Sequence, residues 1–153
     1  MNKETESAVA TREPSTPTGK LDFSVLFATT EYGAHTARLA AERALAPHLP
    51  PDTGAADTAR LLIAELTANA ALHGRVRGRK ARLGLTLDPT CLLVEVTDAG
   101  GDRLPAPPPD GDAGDSEHGR GLLLVEALAD SWGWRPYHPG GKTVWAVLGI
   151  RSE

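Results

Sequence analysis

The stretch Asp57-Thr-Ala-Arg-Leu-Leu-Ile-Ala-Glu-Leu-Thr-Ala-Asn-Ala-Ala-Leu-His73 decides the reading of this chain. At about 100° per residue its apolar spacing predicts a helix. On that wheel Ala59, Leu62, Ile63, Leu66 and Ala70 form one apolar arc, and Leu61 and Leu72 form a second. Glu65 and Asn69 fall in the gap between the arcs, one above the other at i and i+4. Arg60, Thr67 and Ala71 are expected on the solvent side. A carboxylate at the edge of a core is costly unless it is paired or serves a cleft. The competing reading is a partly exposed Glu beside an amide that the backbone satisfies.

Outward from this helix the elements follow in order. Gly74 is a suitable C′ residue to end it. Upstream, Leu21 to Ala28 is a strand candidate, and Thr30 is placed to cap a helix from Glu31 to Ala46. Pro47, Pro50 and Pro51 break that helix. Downstream, Lys80–Asp88 and Cys91–Asp98 alternate polar and apolar residues, which predicts two half-buried strands joined at Pro89-Thr90. Residues 99–121 hold six glycines and four prolines, too much punctuation for regular structure. A long loop inside a compact domain is usually a lid or binding loop. Gly121–Asp130 has helix character, and Trp132–Tyr137 and Lys142–Ile150 read as two last strands around Pro139-Gly140-Gly141. The expected fold class is α+β: a two-layer α/β sandwich, a mixed β-sheet with helices on one face. Residues 1–19, polar with Pro14 and Pro17, read as a disordered tail ahead of one domain over 20–153.

Composition narrows the classes. The 153 residues suffice for one domain with a sizeable core. A net charge of −4 argues against a nucleic-acid or anionic-membrane surface and leaves room only for a local basic patch. Cys91 is the single cysteine, which excludes an intrachain disulfide and a cysteine-based metal cluster. No apolar run is long enough to span a bilayer, and the first residues lack the apolar core of a signal peptide. A cytoplasmic protein is expected.

Three features point to chemistry. Asn69 offers a neutral carbonyl oxygen, a suitable hard ligand for Mg²⁺ beside phosphates, and Glu65 one turn earlier is placed to polarise a nucleophile. Asp98-Ala99-Gly100-Gly101 ends a strand, where an ionised carboxylate suits an amino group such as the exocyclic amine of adenine. Gly100 and Gly101 would let a flat base come close to the backbone. Gly119-Arg120-Gly121-Leu122 opens a helix, whose N-terminal N–H groups and partial positive charge suit phosphate, with His118 and Arg120 adding charge. Each feature taken singly has an ordinary structural explanation. Asp110, Asp112 and Asp115 superficially suggest Ca²⁺, but no bidentate Glu follows at the required spacing.

In this order the three resemble the N, G1 and G2 boxes of the histidine-kinase/Hsp90-like ATP-binding fold, also called the GHKL or Bergerat fold. The resemblance covers Leu21 to Ile150. Glu-Leu-Thr-Ala-Asn-Ala at 65–70 matches the N box, and Gly-Arg-Gly-Leu at 119–122 matches G2. Gly141-Lys142-Thr143-Val144-Trp145 resembles the last-strand segment whose Thr backs up the adenine-binding Asp. The resemblance implies that ATP and Mg²⁺ are cofactors, that Asn69 holds the metal, that Asp98 takes adenine, and that 99–118 is the ATP lid. The G1 pattern Asp-x-Gly-x-Gly is departed from at Asp102, which stands where the second glycine is expected.

Within the fold, the closest likeness is to the branch of small serine-kinase anti-sigma factors. Histidine kinases usually carry an amide four residues before the metal Asn, whereas ATPases and serine kinases carry Glu, as here at Glu65. The short stretch before Leu21 is not expected to hold a phosphoacceptor hairpin, and no second domain of the kind large ATPases need is expected. The implied function is a serine/threonine-protein kinase that acts as an anti-sigma factor and phosphorylates an antagonist protein, with Glu65 as catalytic base. Its implied partners are a sigma factor or that antagonist, a homodimer being admissible, with no direct nucleic acid and no membrane. The rival is a nucleotide-dependent module that sequesters a partner without phosphorylating it. The acidic residues of 102–118, which would repel ATP phosphates, favour the rival.

Overall fold

A computed structural model describes residues 21–101 and 117–150, with side chains in the last helix from Leu122 onward. The tail expected over 1–19 and most of the expected lid, 102–116, lie outside the described residues. The elements run β1 (Leu21–Phe27), α1 (Glu31–Leu45), α2 (Gly54–His73), β2 (Ala81–Leu87), β3 (Cys91–Asp98), α3 (Glu117–Leu128), β4 (Ser131–Tyr137) and β5 (Gly141–Gly149).

Local chemistry sets the helix ends. The Gly33 N–H donates to Thr30 Oγ1 at 2.9 Å, so Thr30 caps α1 as its position predicts. Thr53 does the same for α2, accepting from the Ala56 N–H at 3.2 Å. Gly74 takes the C-cap place of α2, its N–H donating to Ala70 O.

The strands form one five-stranded sheet in the order β1-β2-β3-β5-β4, and every pairing is antiparallel. This corrects the expected mixed sheet. Strand β4 follows β3 across a helix and runs parallel to it, as a crossover connection requires. The β4–β5 hairpin then inserts β5 between the two, so the parallel strands never pair. Gly140 makes that hairpin turn at φ +79°, a conformation that side chains strain.

Alternation along the strands puts Phe27, Leu83, Leu85, Leu92, Val94, Val96, Val144, Ala146 and Leu148 on the helix-covered face. Leu62, Ile63 and Leu66 of α2 meet them there. Fully burying one such side chain contributes about 1.5–3 kcal/mol. Helix α2 is central: it packs against α1, α3, β3 and β5. That position corrects the expected wheel in two ways. Thr67, expected in solvent, is fully buried, and its hydroxyl is satisfied by donating to Ile63 O at 2.8 Å. Leu61 and Leu72, expected to form a second apolar arc, are exposed on the stripe that carries Glu65.

The β2–β3 turn is held by one carboxylate. Asp88 Oδ1 accepts from the Thr90 N–H at 2.7 Å, the Cys91 N–H at 2.8 Å and the Thr90 hydroxyl at 2.8 Å. The backbone donor of Thr90, then that of Cys91, holds the Asp88 carboxyl below its ordinary range. A depressed folded-state value contributes stability above the unfolded value, and that contribution is lost as pH falls through the folded one. Asp88→Asn keeps the shape and removes the charge. Its melting temperature should therefore lie below that of the wild type at neutral pH. The gap should close in acid below the ordinary carboxylate range, as thermal melts followed by circular dichroism would measure.

Candidate functional site

The C-terminal end of α2, the end of β3 and the start of β5 converge on Asp98. The pleat turns this side chain toward the helix layer, in step with Val94 and Val96. Lys142 stands directly opposite on β5, and its side chain follows the same inward alternation as Val144 and Ala146. The two side chains are 2% and 1% exposed. Lys142 Nζ donates to Asp98 Oδ1 at 2.9 Å, to Oδ2 at 3.1 Å and to Gly100 O at 3.0 Å. An ammonium has three donors, so Lys142 is fully satisfied. Asp98 Oδ1 also accepts from the Gly100 N–H at 2.8 Å. A carboxylate has about four acceptor positions, and these three bonds leave one, on Oδ2.

Glycines make this convergence sterically feasible. A Cβ on Gly74 would overlap the Asp98 carboxylate, and one on Gly141 would overlap Asp98 O. At Gly100 it would come to 3.0 Å from the Gly74 Cα, and at Gly101 to 2.5 Å from Gly140 O. The Gly101 N–H donates to that same Gly140 oxygen at 2.8 Å. Gly100 and Gly101, expected to admit a base, here admit neighbouring backbone.

Thr143 is not the residue that reaches Asp98. Its register partner is Thr97, and the two hydroxyls are 2.7 Å apart. Both lie one residue out of step with Asp98 and Lys142, so the pleat turns them to the other face of the sheet. Lys142 occupies the supporting role instead. The signal was present in the alternation of Val144, Ala146 and Leu148, which places Lys142 on the inner face.

Glu65 and Asn69 are both half-buried on α2, at the margin of its packed face. Along the helix axis, at 1.5 Å per residue, Asn69 stands about 7 Å and Glu65 about 13 Å back from Gly74. Both carry oxygen donors of the kind Mg²⁺ accepts, so the donor chemistry at this margin fits that ion. Helix α3 begins at Glu117, so Gly119, Arg120 and Gly121 fall within its first turns, and their side-chain placement is outside the described residues. Leu122 is buried, and Val125 joins the core. Helix α3 packs against α2, bringing the first and third motifs onto adjacent helices.

Removing one member of a buried ion pair strands the other, at a cost of about 3–5 kcal/mol. Lys142→Met should lower unfolding stability by that order in urea titrations. Lys142→Met with Asp98→Asn should recover part of the loss, because no uncompensated charge remains.

The family described as the histidine kinase-like ATPase domain matches residues 27–148, from the last residue of β1 into β5. No curated protein matches the chain. With the match covering most of the sequence and the whole framework around Asp98, the chain belongs to the histidine kinase-like ATPase family, and ATP is the ligand that membership implies.

Proposed function

We propose that this protein is an ATP-dependent regulatory serine/threonine kinase of the anti-sigma-factor branch, acting on an antagonist protein in the cytoplasm. One observation carries the reading: the order of groups along α2. Asp98 stands at the helix end, Asn69 about 7 Å back and Glu65 about 13 Å back. That is the order of a nucleotide's parts, from base to metal-bound phosphates to the transferred phosphoryl group.

On this reading Asp98 accepts from the adenine amine through its remaining Oδ2 position, and Lys142 fixes that carboxylate in place. Asn69 holds Mg²⁺, which when bound would neutralise phosphate charge. Glu65 takes the proton from a partner's serine or threonine hydroxyl as that oxygen attacks the γ-phosphorus. The bond to the β,γ-bridging oxygen breaks, and ADP leaves with the electron pair. A positioned base contributes about 10²–10⁴-fold to such a step.

The second reading, a module that binds nucleotide and sequesters a sigma factor or antagonist without phosphorylating it, is favoured by the acidic composition of 102–118. The two differ in what they require of Glu65.

Asp98→Asn should weaken Mg-ATP binding by about ten- to a hundredfold, because a charge-assisted bond is lost and a donor can face the amine. Calorimetry on folded protein measures this, and absence of nucleotide binding by the wild type would overturn the ATP assignment. Glu65→Gln should leave ATP affinity near the wild-type value and reduce transfer of radiolabelled phosphate to the antagonist by at least a hundredfold. Transfer by Glu65→Gln at the wild-type rate would remove Glu65 from the mechanism. Partner capture without labelling by the wild type would favour sequestration.

A further inference from the structure

The sheet face turned away from the helices carries a second concave feature. The chain entering β2 reads Arg75-Val-Arg-Gly-Arg-Lys-Ala-Arg82, five cations with no acidic residue, in a protein of net charge −4. Three of them, Arg79, Lys80 and Arg82, line a groove of about 260 Å³. Its walls include Leu26 of β1 and Tyr137 of β4, and Thr97 of β3 lies between them. Since β1 and β4 are the two edges of the sheet, the lining reaches across all five strands, about 19 Å at 4.8 Å per step.

The chemistry of the lining is uneven. Arg79, Lys80 and Arg82 are exposed, and none of them forms a salt bridge among the described residues. Asp98, the acidic residue of the lining, already has its charge met by Lys142 on the other face. Leu26 and Tyr137 are 57% and 49% exposed, large apolar surfaces left in water. A site for one small anion would gather its donors at a point and bury them. Here exposed cations share an elongated groove with apolar side chains on both edge strands. Such a surface steers and seats an extended polyanionic chain that also carries apolar side chains. A nucleic-acid backbone carries the negative charge but lacks aliphatic side chains for Leu26.

We propose that this groove docks an extended acidic segment of a partner protein. Its carboxylates face Arg79, Lys80 and Arg82, and its apolar side chains rest against Leu26 and Tyr137. The site lies on the sheet face opposite the Asp98 carboxylate and does not depend on the nucleotide reading.

The test is fluorescence anisotropy with the full chain and a labelled peptide of alternating glutamate and leucine. The expected result is binding that weakens as salt is raised. Arg79→Ala/Lys80→Ala/Arg82→Ala should bind roughly tenfold more weakly, from three exposed charge contacts. Tyr137→Ala, which removes no charge, should lose a few-fold. Circular dichroism of both variants at the wild-type value ties any loss to the surface. Equal binding by the triple variant, or by a peptide of alternating glutamine and leucine, would overturn the proposal. So would failure of the wild type to bind the acidic peptide. Displacement of the peptide by oligothymidylate at lower concentration than by unlabelled peptide would assign the groove to nucleic acid instead.

Discussion

A buried carboxylate must have its charge met, and much of this structure is arranged around meeting that of Asp98. In a low-dielectric interior an unpaired charge is among the most costly single defects a fold can carry. Lys142 can neutralise it only if β5 lies beside β3 in the observed register, with the two residues directly opposite. That requirement fixes the centre of the sheet. The strand order in which β5 separates β3 from β4 follows from it. The glycines at 74, 100 and 141 permit the close approach: the helix end meets the Asp98 carboxylate, the turn meets Gly74, and the hairpin meets the Asp98 main-chain oxygen. Charge pairing, topology and glycine placement are thus one constraint seen at three scales.

The same pair gives the site its chemical character. A carboxylate with all acceptor positions filled would be purely structural, and one with several open would be too poorly solvated to stay charged and buried. Asp98 lies between these limits, with three bonds made and one position left on Oδ2. An amine that donates to it replaces no existing bond and adds one in a dry setting, where hydrogen bonds are strongest. A ring carbonyl at the same place would meet an acceptor with an acceptor.

Local periodicity makes the eight elements legible, because capping and alternation are short-range effects, but the last helix begins at Glu117 rather than Gly121, within the stretch expected to lack regular structure. Thr30 before the first helix, Gly74 after the second and the alternation over 91–98 are each readable without knowing what they touch. What was not legible depends on partners distant in sequence. Thr67 looked solvent-facing because a single wheel cannot show that α2 is enclosed by two helices and the sheet. The mixed sheet was expected because the crossover was visible and the insertion of β5 was not. The resemblance assigns Thr143 to Asp98, whereas the inward alternation of Val144 and Ala146 puts Lys142 in that place. Glu65 and Asn69 are legible because they violate an apolar pattern, and such violations point to candidate sites even when the other wall is unknown.

The two ends of the site differ physically, and the difference bears on the choice between kinase and sequestering module. The groups bonded to Asp98 are buried and held by named bonds, so on the proposed reading the base end is preorganised and a ligand there loses little in ordering the protein. Glu65 and Asn69 are half-buried on one helix margin, flanked by exposed Leu61 and Leu72. A half-buried carboxylate at such a margin remains within reach of a partner that docks there. On the proposed reading, affinity is set at one end of α2 and turnover at the other. A family built on this framework can lose phosphotransfer by changing the groups near Glu65 while nucleotide binding at Asp98 persists. The fold alone does not choose between the two activities; the surroundings of one carboxylate do.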